Sequence, residues 1–352
     1  MKKILYAVQA TGNGHITRAR LMAEVFKKLG LTVDWVFTGR AKDELFDMEP
    51  FGDFRCFQGL TFNIRQGRIA YVATAVNNNI FRFIRDILDF SFDGYDLVIN
   101  DFEPVTAWAA KRQGIKTIGL SHQMAFHKTI PVAGRNWLAE KILKNFAPVD
   151  MPIGLHWSDF NQSMLPPIID NRAGVASRNL NKVLVYFPFC DVNKLINWFA
   201  PFENIEFHIF HGTNRSSDYS NIHLHHFSRH HFQRKQQECG SIITGAGFEL
   251  PSEAIQMGHK LMVLPLAGQM EQQSNALALA QIDRAMVVNQ FNHEELKLWL
   301  QKAQPNPKKY PDVALELAKW LVSRKKESLE SLSKRLWAEF HLNEYDKSTQ
   351  VA

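Results

Sequence analysis

The sequence predicts an α/β protein built as two doubly wound halves that face one another across a cleft. Three observations predict it. Short apolar runs alternate with amphipathic segments, the pattern of βαβ units and a parallel sheet. That pattern runs through the first half of the chain and restarts near residue 182. Each half also carries a glycine turn that follows an apolar run directly and opens a helical segment.

The size fits two domains. At 352 residues the chain exceeds one ordinary core and suits two domains of about 150–200 residues each. Hydrophobic residues make up 45% and charged residues 22%, enough for each half to bury a core. The net charge of +6 and pI near 9.1 suit an anionic ligand, nucleic acid or an acidic membrane surface without choosing among them. Three cysteines, Cys56, Cys190 and Cys239, form no CxxC pair, which argues against a disulfide framework and fits a reducing cytoplasm. No apolar run approaches the ~20 residues that span a bilayer. Met1-Lys2-Lys3 followed by Ile4 to Ala10 superficially resembles a signal peptide, but the stretch is short, contains Gln9, and enters Thr11-Gly12-Asn13-Gly14. It reads as the first buried strand of a cytoplasmic protein.

In order, the first half predicts a strand over Ile4–Val8, a helix over Ile16–Leu29 and a strand over Thr32–Phe37. A strand over Asp96–Asn100 follows the turn residues Asp93-Gly94, then a helix over Val105–Arg112 and a strand over Lys116–Leu120. Leu165-Pro166-Pro167 and Asp170-Asn171-Arg172-Ala173-Gly174 mark a linker. This places an N-terminal Rossmann-like domain at 1–168, the linker at 169–180 and a second Rossmann-like domain at 181–325. Residues 326–352 form a C-terminal helix and tail that could pack back on the first domain. The second series has strands over Lys182–Phe187, Glu206–Phe210, Ser241–Thr244 and Lys260–Leu264, with helices over Asp191–Trp198 and Pro251–Met257. Pro311–Glu339 reads as one helix with Leu315, Leu317, Trp320 and Leu321 on one face and Lys325, Lys326 and Lys334 elsewhere.

Gly12-Asn13-Gly14-His15 opens the first helix. Its glycines permit a tight turn and close backbone approach, and the helix start favours negative charge. A dinucleotide fingerprint would want a small residue where Thr17 stands, and a phosphate loop would want Gly-Lys-Ser/Thr. Histidine is not a capping residue, so His15 reads either as a proton acceptor facing the cleft or as a group holding the turn. Asn100-Asp101-Phe102-Glu103-Pro104 ends another strand. Asp101 there either orients a histidine from the neighbouring strand or caps the next helix.

In the second half, Thr244-Gly245-Ala246-Gly247-Phe248 runs from strand into helix, where free N–H groups could hold a pyrophosphate. Glu253 either accepts from ribose hydroxyls or serves as a dipole-favoured acid near the helix start. Glu271 and Gln272 either meet sugar or phosphate, or begin a helix as solvated polar residues.

Together these segments resemble the GT-B glycosyltransferases over residues 1 to about 290, most strongly at 240–280. They are similar to the bacterial peptidoglycan N-acetylglucosaminyltransferase and to UDP-glycosyltransferases of small molecules, closest to an uncharacterised bacterial and archaeal group. The pattern is carried by Gly12-Asn13-Gly14-His15, Gly245–Gly247, Ser252-Glu253-Ala254, Pro265, Glu271-Gln272 and Asn275-Ala276. The resemblance implies a nucleotide-sugar donor, UDP in kind, and an acceptor hydroxyl. It assigns catalysis to His15 with Asp101, and donor binding to Gly14, Phe227, Ser228, Gly245, Ala246, Gly247, Phe248, Glu253, Glu271, Gln272 and Asn275. A single displacement, with His15 as base, predicts inversion; no DxD-like motif precedes the donor site, so no catalytic metal is expected, and no cofactor. Thr17-Arg18 stands where many relatives have Pro, a departure that bears on the acceptor.

Other readings stay open. A sugar-nucleotide 2-epimerase shares this plan but needs no acceptor, and a non-catalytic binding protein would keep Glu253 and the turn without a base. His211, His223, His225, His226, His230 and His231 form a dense cluster without regular ligand spacing, read as surface and loop histidines rather than a metal site. Arg65, Arg68, Arg82 and Arg85 lie among Phe62, Tyr71, Phe81 and Phe83. This patch suits either a peripheral contact with an anionic membrane and a lipid-linked acceptor, or a solvated helix face. No recognised nucleic-acid module surrounds it.

Overall fold

The computed structural model describes residues 3–61, 64–65, 68–69, 79–213, 215–323 and 327–348. Lys3–Gln9 (β1), Thr32–Thr38 (β2) and Phe54–Phe57 (β3) begin the first half. A short antiparallel pair, Ile64–Arg65 (β4) and Arg68–Ile69 (β5), stands apart from the main sheet. Leu97–Asp101 (β6), Thr117–Ser121 (β7) and Met151–Gly154 (β8) complete a parallel sheet in the order β3-β2-β1-β6-β7-β8. In the second half, Lys182–Tyr186 (β9), Glu206–Phe210 (β10), Ile222–His225 (β11), Ser241–Thr244 (β12), Lys260–Val263 (β13) and Met286–Val287 (β14) repeat that plan. Their order is β11-β10-β9-β12-β13-β14. Strand order thus reverses between β1 and β6 in one sheet and between β9 and β12 in the other, and such a switch point opens a crevice at the carboxyl ends. The predicted pair of Rossmann-like halves stands.

The central strands form where the apolar runs are continuous, because helices cover both faces. Ile4, Leu5, Tyr6, Ala7 and Val8 are all fully buried. One face of β1 packs Tyr6 on Trp35 with ring centroids 4.8 Å apart, and the other packs Leu5 and Ala7 against Val98, Ala109 and Ala110. In the second half Val183, Val185 and Ile209 pack on Leu195, Trp198 and Phe199. The core beneath helix Asn13–Lys28 is continuous with Phe248, Ala254 and Ile255 of the second half.

Helix Pro311–Glu339 is a correction. The segment forms two helices, Val313–Val322 and Leu329–Ser348, each with its own side-chain start signal. Asp312 accepts from the Leu315 amide at 3.0 Å, and Ser328 Oγ accepts from the Ser331 amide at 3.1 Å. Lys325 and Lys326 lie outside the described residues. Helix Val313–Val322 packs against helix Asn13–Lys28, so the chain returns to the first half before residue 325. Ser333 Oγ and Trp337 Nε1 both donate to Met164 O, at 2.6 and 2.8 Å. Among the described residues, no helix is long and apolar enough to cross a membrane.

Candidate active site

The first half brings His15 and Asp101 together at its switch point. β1 and β6 are neighbours, with Val8 beside Asp101, and the helix bearing His15 begins just after β1. Gly12 precedes that helix without a side-chain cap, and no acid stands in its first turn. Its leading N–H groups are therefore left for other partners. Beyond Asp101 the backbone turns through Phe102 in the left-handed region at φ 56°, strain of the kind kept at working sites. Glu103, not Asp101, caps the following helix Pro104–Gln113, accepting from the Val105 and Thr106 amides at 2.6 and 2.7 Å.

Asp101 is thereby left for side chains. Its Oδ1 lies 2.6 Å from His15 Nδ1, with Asp101 fully buried and the His15 side chain 15% exposed. Arg18 Nε and Nη2 donate to Asp101 Oδ2 and Oδ1 at 2.9 and 2.8 Å. Burial works to raise the Asp101 pKa, but the Arg18 and His15 charges outweigh it and hold the carboxyl below its ordinary value. An ionised carboxylate only accepts, so the His15 Nδ1–H donates to Asp101.

The second half supplies the facing wall. Thr244 ends β12, and Gly245 to Phe248 lead into helix Glu249–Met257, again without a side-chain cap. Asn275 Nδ2 donates to Ala246 O at 3.0 Å, and Asn275 Oδ1 lies 2.6 Å from His122 Nε2 of the first half. His122 stacks flat on Phe248 with centroids 4.2 Å apart, and burial lowers its pKa to about 4. Gln272 Oε1 accepts from the Leu266 amide at 3.0 Å, and Glu271 Oε1 accepts from Gln123 Nε2 at 2.9 Å across the halves. Glu253 is half-buried and accepts from Gln236 Nε2 at 3.0 Å. Burial pushes it up to about 7 against the Gln236 bond, with the Glu249 charge adding. Phe227 follows β11 and meets Tyr186 edge-on at 6.2 Å, while Ser228 caps helix Arg229–Glu238.

Gly14 comes close to the second half, since a Cβ there would stand 2.8 Å from Glu249 Oε2. Gly14 thus abuts the start of helix Glu249–Met257, and Arg18 links Asp101 to Glu249 there. Asn275 has its amide engaged on both sides, fixing the glycine turn against the first half. Phe227 reaches the glycine turns through Tyr186, which pairs with Thr244 on the neighbouring strand, and Ser228 precedes Arg229, whose charge acts on Glu253. The sequence motifs do not mark Arg18, Glu249, His122 and Gln123 as site residues. Arg18 could have been found three residues after His15 on the same helix face, and His122 directly after β7.

Of the histidine cluster, His223 and His225 lie in β11 rather than in a loop, and they stack on a further histidine, His208 of β10. His208 lies on His223 and His225 with centroids 4.9 and 5.3 Å away, and its Nδ1 is 3.0 Å from His225 Nε2. Among the described residues, no three His, Cys, Asp or Glu side chains come together in a way that could hold a metal ion.

The model of the family described as glycosyl transferase family 1 matches residues 2–304. The chain belongs to glycosyl transferase family 1. Solved GT-B glycosyltransferases of low identity share its fold. UGT89C1 of Arabidopsis thaliana complexed with UDP is 13% identical, covering 97% of this chain and 100% of that one, with a TM-score of 0.59. LpCGTa in complex with UDP is 12% identical over 96% and 99%, with a TM-score of 0.58. MurG of Acinetobacter baumannii is 17% identical over 87% and 96%, with a TM-score of 0.50. No curated protein sequence matches this chain significantly. As a glycosyl transferase family 1 member it carries the GT-B fold expected from its motifs.

Proposed function

We propose that this glycosyltransferase moves a hexose from a UDP-sugar to an acceptor hydroxyl with inversion, using His15 as base and Asp101 as its orienting carboxylate. The observation that carries the reading is the 2.6 Å contact of His15 Nδ1 with Asp101, opposite the glycine turn of the second half. His15 Nε2 takes the acceptor proton as the hydroxyl oxygen attacks the anomeric carbon. The bond to the donor phosphate oxygen breaks, and UDP leaves with its electron pair. One displacement inverts the anomeric carbon, and no resident cofactor or metal takes part. The amides opening helix Glu249–Met257 stabilise the charge on the departing diphosphate. Glu253 receives the ribose hydroxyls, with Gly245 to Phe248, Glu271 and Gln272 around the diphosphate and sugar. Two solved structures of this fold hold UDP, and another UGT89C1 structure holds quercetin, in keeping with such a donor and acceptor.

Calorimetry with UDP, dTDP and GDP, followed by NMR of the product from an α-linked UDP-hexose, tests the reading. UDP should bind best and the product should be β-linked. An α-linked product defeats the single displacement, and conversion of the donor alone to an epimer defeats transfer.

A peripheral contact with an anionic membrane, from the cytoplasmic side, is favoured by helix Ile80–Asp89. Ile80, Phe81, Ile84 and Leu88 are all exposed, Phe81 at 89%, beside exposed Arg82 and Arg85. Phe62 and Tyr71 of the same sequence patch lie outside the described residues, and only the backbone is described at Arg65 and Arg68. Sedimentation with phosphatidylglycerol vesicles should carry the protein down and leave Phe81→Glu in solution. Equal sedimentation of both, or of neither, overturns this contact.

A further inference from the structure

We infer that Arg18 is a positioning residue that ties the His15–Asp101 pair to the opposite half of the molecule through Glu249. Arg18 is 1% exposed, and a guanidinium removed from water persists only where its donors and charge are met. Here they are met twice. Nε and Nη2 grip both oxygens of Asp101, and Nη1 pairs with Glu249, 231 residues away in the other half. Only a fork of donors can serve two carboxylates in this way, since lysine offers one nitrogen.

The arrangement has a mechanical consequence. Glu249 is the first residue of helix Glu249–Met257, the helix whose start faces the donor in the function proposed above. The place of that helix therefore sets where the guanidinium stands, and the guanidinium sets the Asp101 carboxylate that holds the His15 ring. Arg18 also follows His15 by three residues on one helix face. An independent feature supports the link. Gly14 leaves the space that Glu249 fills, because a Cβ there would meet Glu249 Oε2 at 2.8 Å. Tyr6, His122 and Glu271 also feel the charges of this group, so its surroundings are Asp101, Glu249, Glu271, Tyr6 and His122.

The inference rests on the base assigned above, and two readouts separate their failures. Proton NMR of the wild type, with His15→Ala for assignment, should show a downfield resonance from the His15 Nδ1–H bonded to Asp101. In folded Glu249→Gln, and in Arg18→Lys where it folds, that resonance should move or broaden into solvent exchange. With UDP-glucose as donor and UDP release as the signal, kcat should fall about tenfold or more while KM changes little, the mark of a misplaced base. An unmoved resonance in folded Glu249→Gln overturns the inference, even if the wild type proves not to use UDP-glucose. An unchanged kcat in that variant overturns it as well. A wild type that binds no UDP instead breaks the donor assignment and leaves the resonance to decide the role of Arg18.

Discussion

Asp101 Oδ1 stands 2.6 Å from Nδ1 of His15, although the two residues lie 86 positions apart. The distance follows from topology, because β1 and β6 are sequence-distant strands made neighbours at the switch point. Asp101 accepts from Nδ1–H and so sets the orientation of the ring, as the proposed base requires.

Replacing His15 by Ala should lower transfer by about 10²–10⁴-fold, the usual range for one general base. UDP affinity measured by calorimetry should stay near wild type, because the ring lies outside the proposed nucleotide contacts. Near-normal turnover would remove His15 from the mechanism.

UDP affinity should rise with pH near neutrality if Glu253 takes the ribose. Burial raises this carboxyl to about 7, so it is about half protonated at neutral pH. Ribose hydroxyls donate to the ionised form, so binding expels a proton and strengthens as the carboxylate forms. Below pH 7 the affinity should fall by at most about tenfold per unit, and well above pH 7 it should level off. Glu253→Gln should bind UDP more weakly at high pH and lose this dependence. A wild-type affinity flat from pH 6 to 8 would exclude the contact.

The central strands and both glycine turns were legible because an apolar run buried on two faces and a Gly-rich helix start leave strong local marks. Edge strands β3, β8 and β14 were not, since they are short and carry mixed residues such as Pro152, and β11 was marked only by its end before Phe227. His15 and Asp101 could be named from their places after strands. Their partner Arg18 could not be assigned a role, because its second carboxylate, Glu249, comes from the other half of the chain. The break after Val322 was hidden by an apolar face that continues in helical register on both sides.

Acid should destabilise the protein through its stacked histidines. Burial, then the charge of Lys235, lowers His208 to about 3, and burial with His231 lowers His225 to about 4. The unfolded chain takes these protons near pH 6.5, so it binds more of them than the folded chain in acid. Stability from these groups is whole above that pH, declines as pH falls, and stops declining near the folded values. Melting temperature should drop by a few degrees between pH 6.5 and 4, with a shallower drop in His208→Phe. An equal slope in both proteins would show that other groups govern acid unfolding.

Glu103 and Asp101 are two buried carboxyls two residues apart, and mutation should separate their duties. Glu103 accepts from the Val105 amide, the Thr106 amide and Thr106 Oγ1, at 2.6, 2.7 and 2.5 Å. Glu103→Ala leaves those buried donors without an acceptor, at a cost of about 2–4 kcal/mol. Glu103→Gln keeps one acceptor oxygen and should lie between the alanine variant and the wild type in urea midpoint. Asp101→Asn should behave in the opposite way, losing transfer well beyond any loss of stability. Its amide can set a donor against the His15 Nδ1 proton, and Arg18 loses one ionic partner. If Glu103→Ala proves as stable as the wild type, the cap is not what frees Asp101 for the histidine.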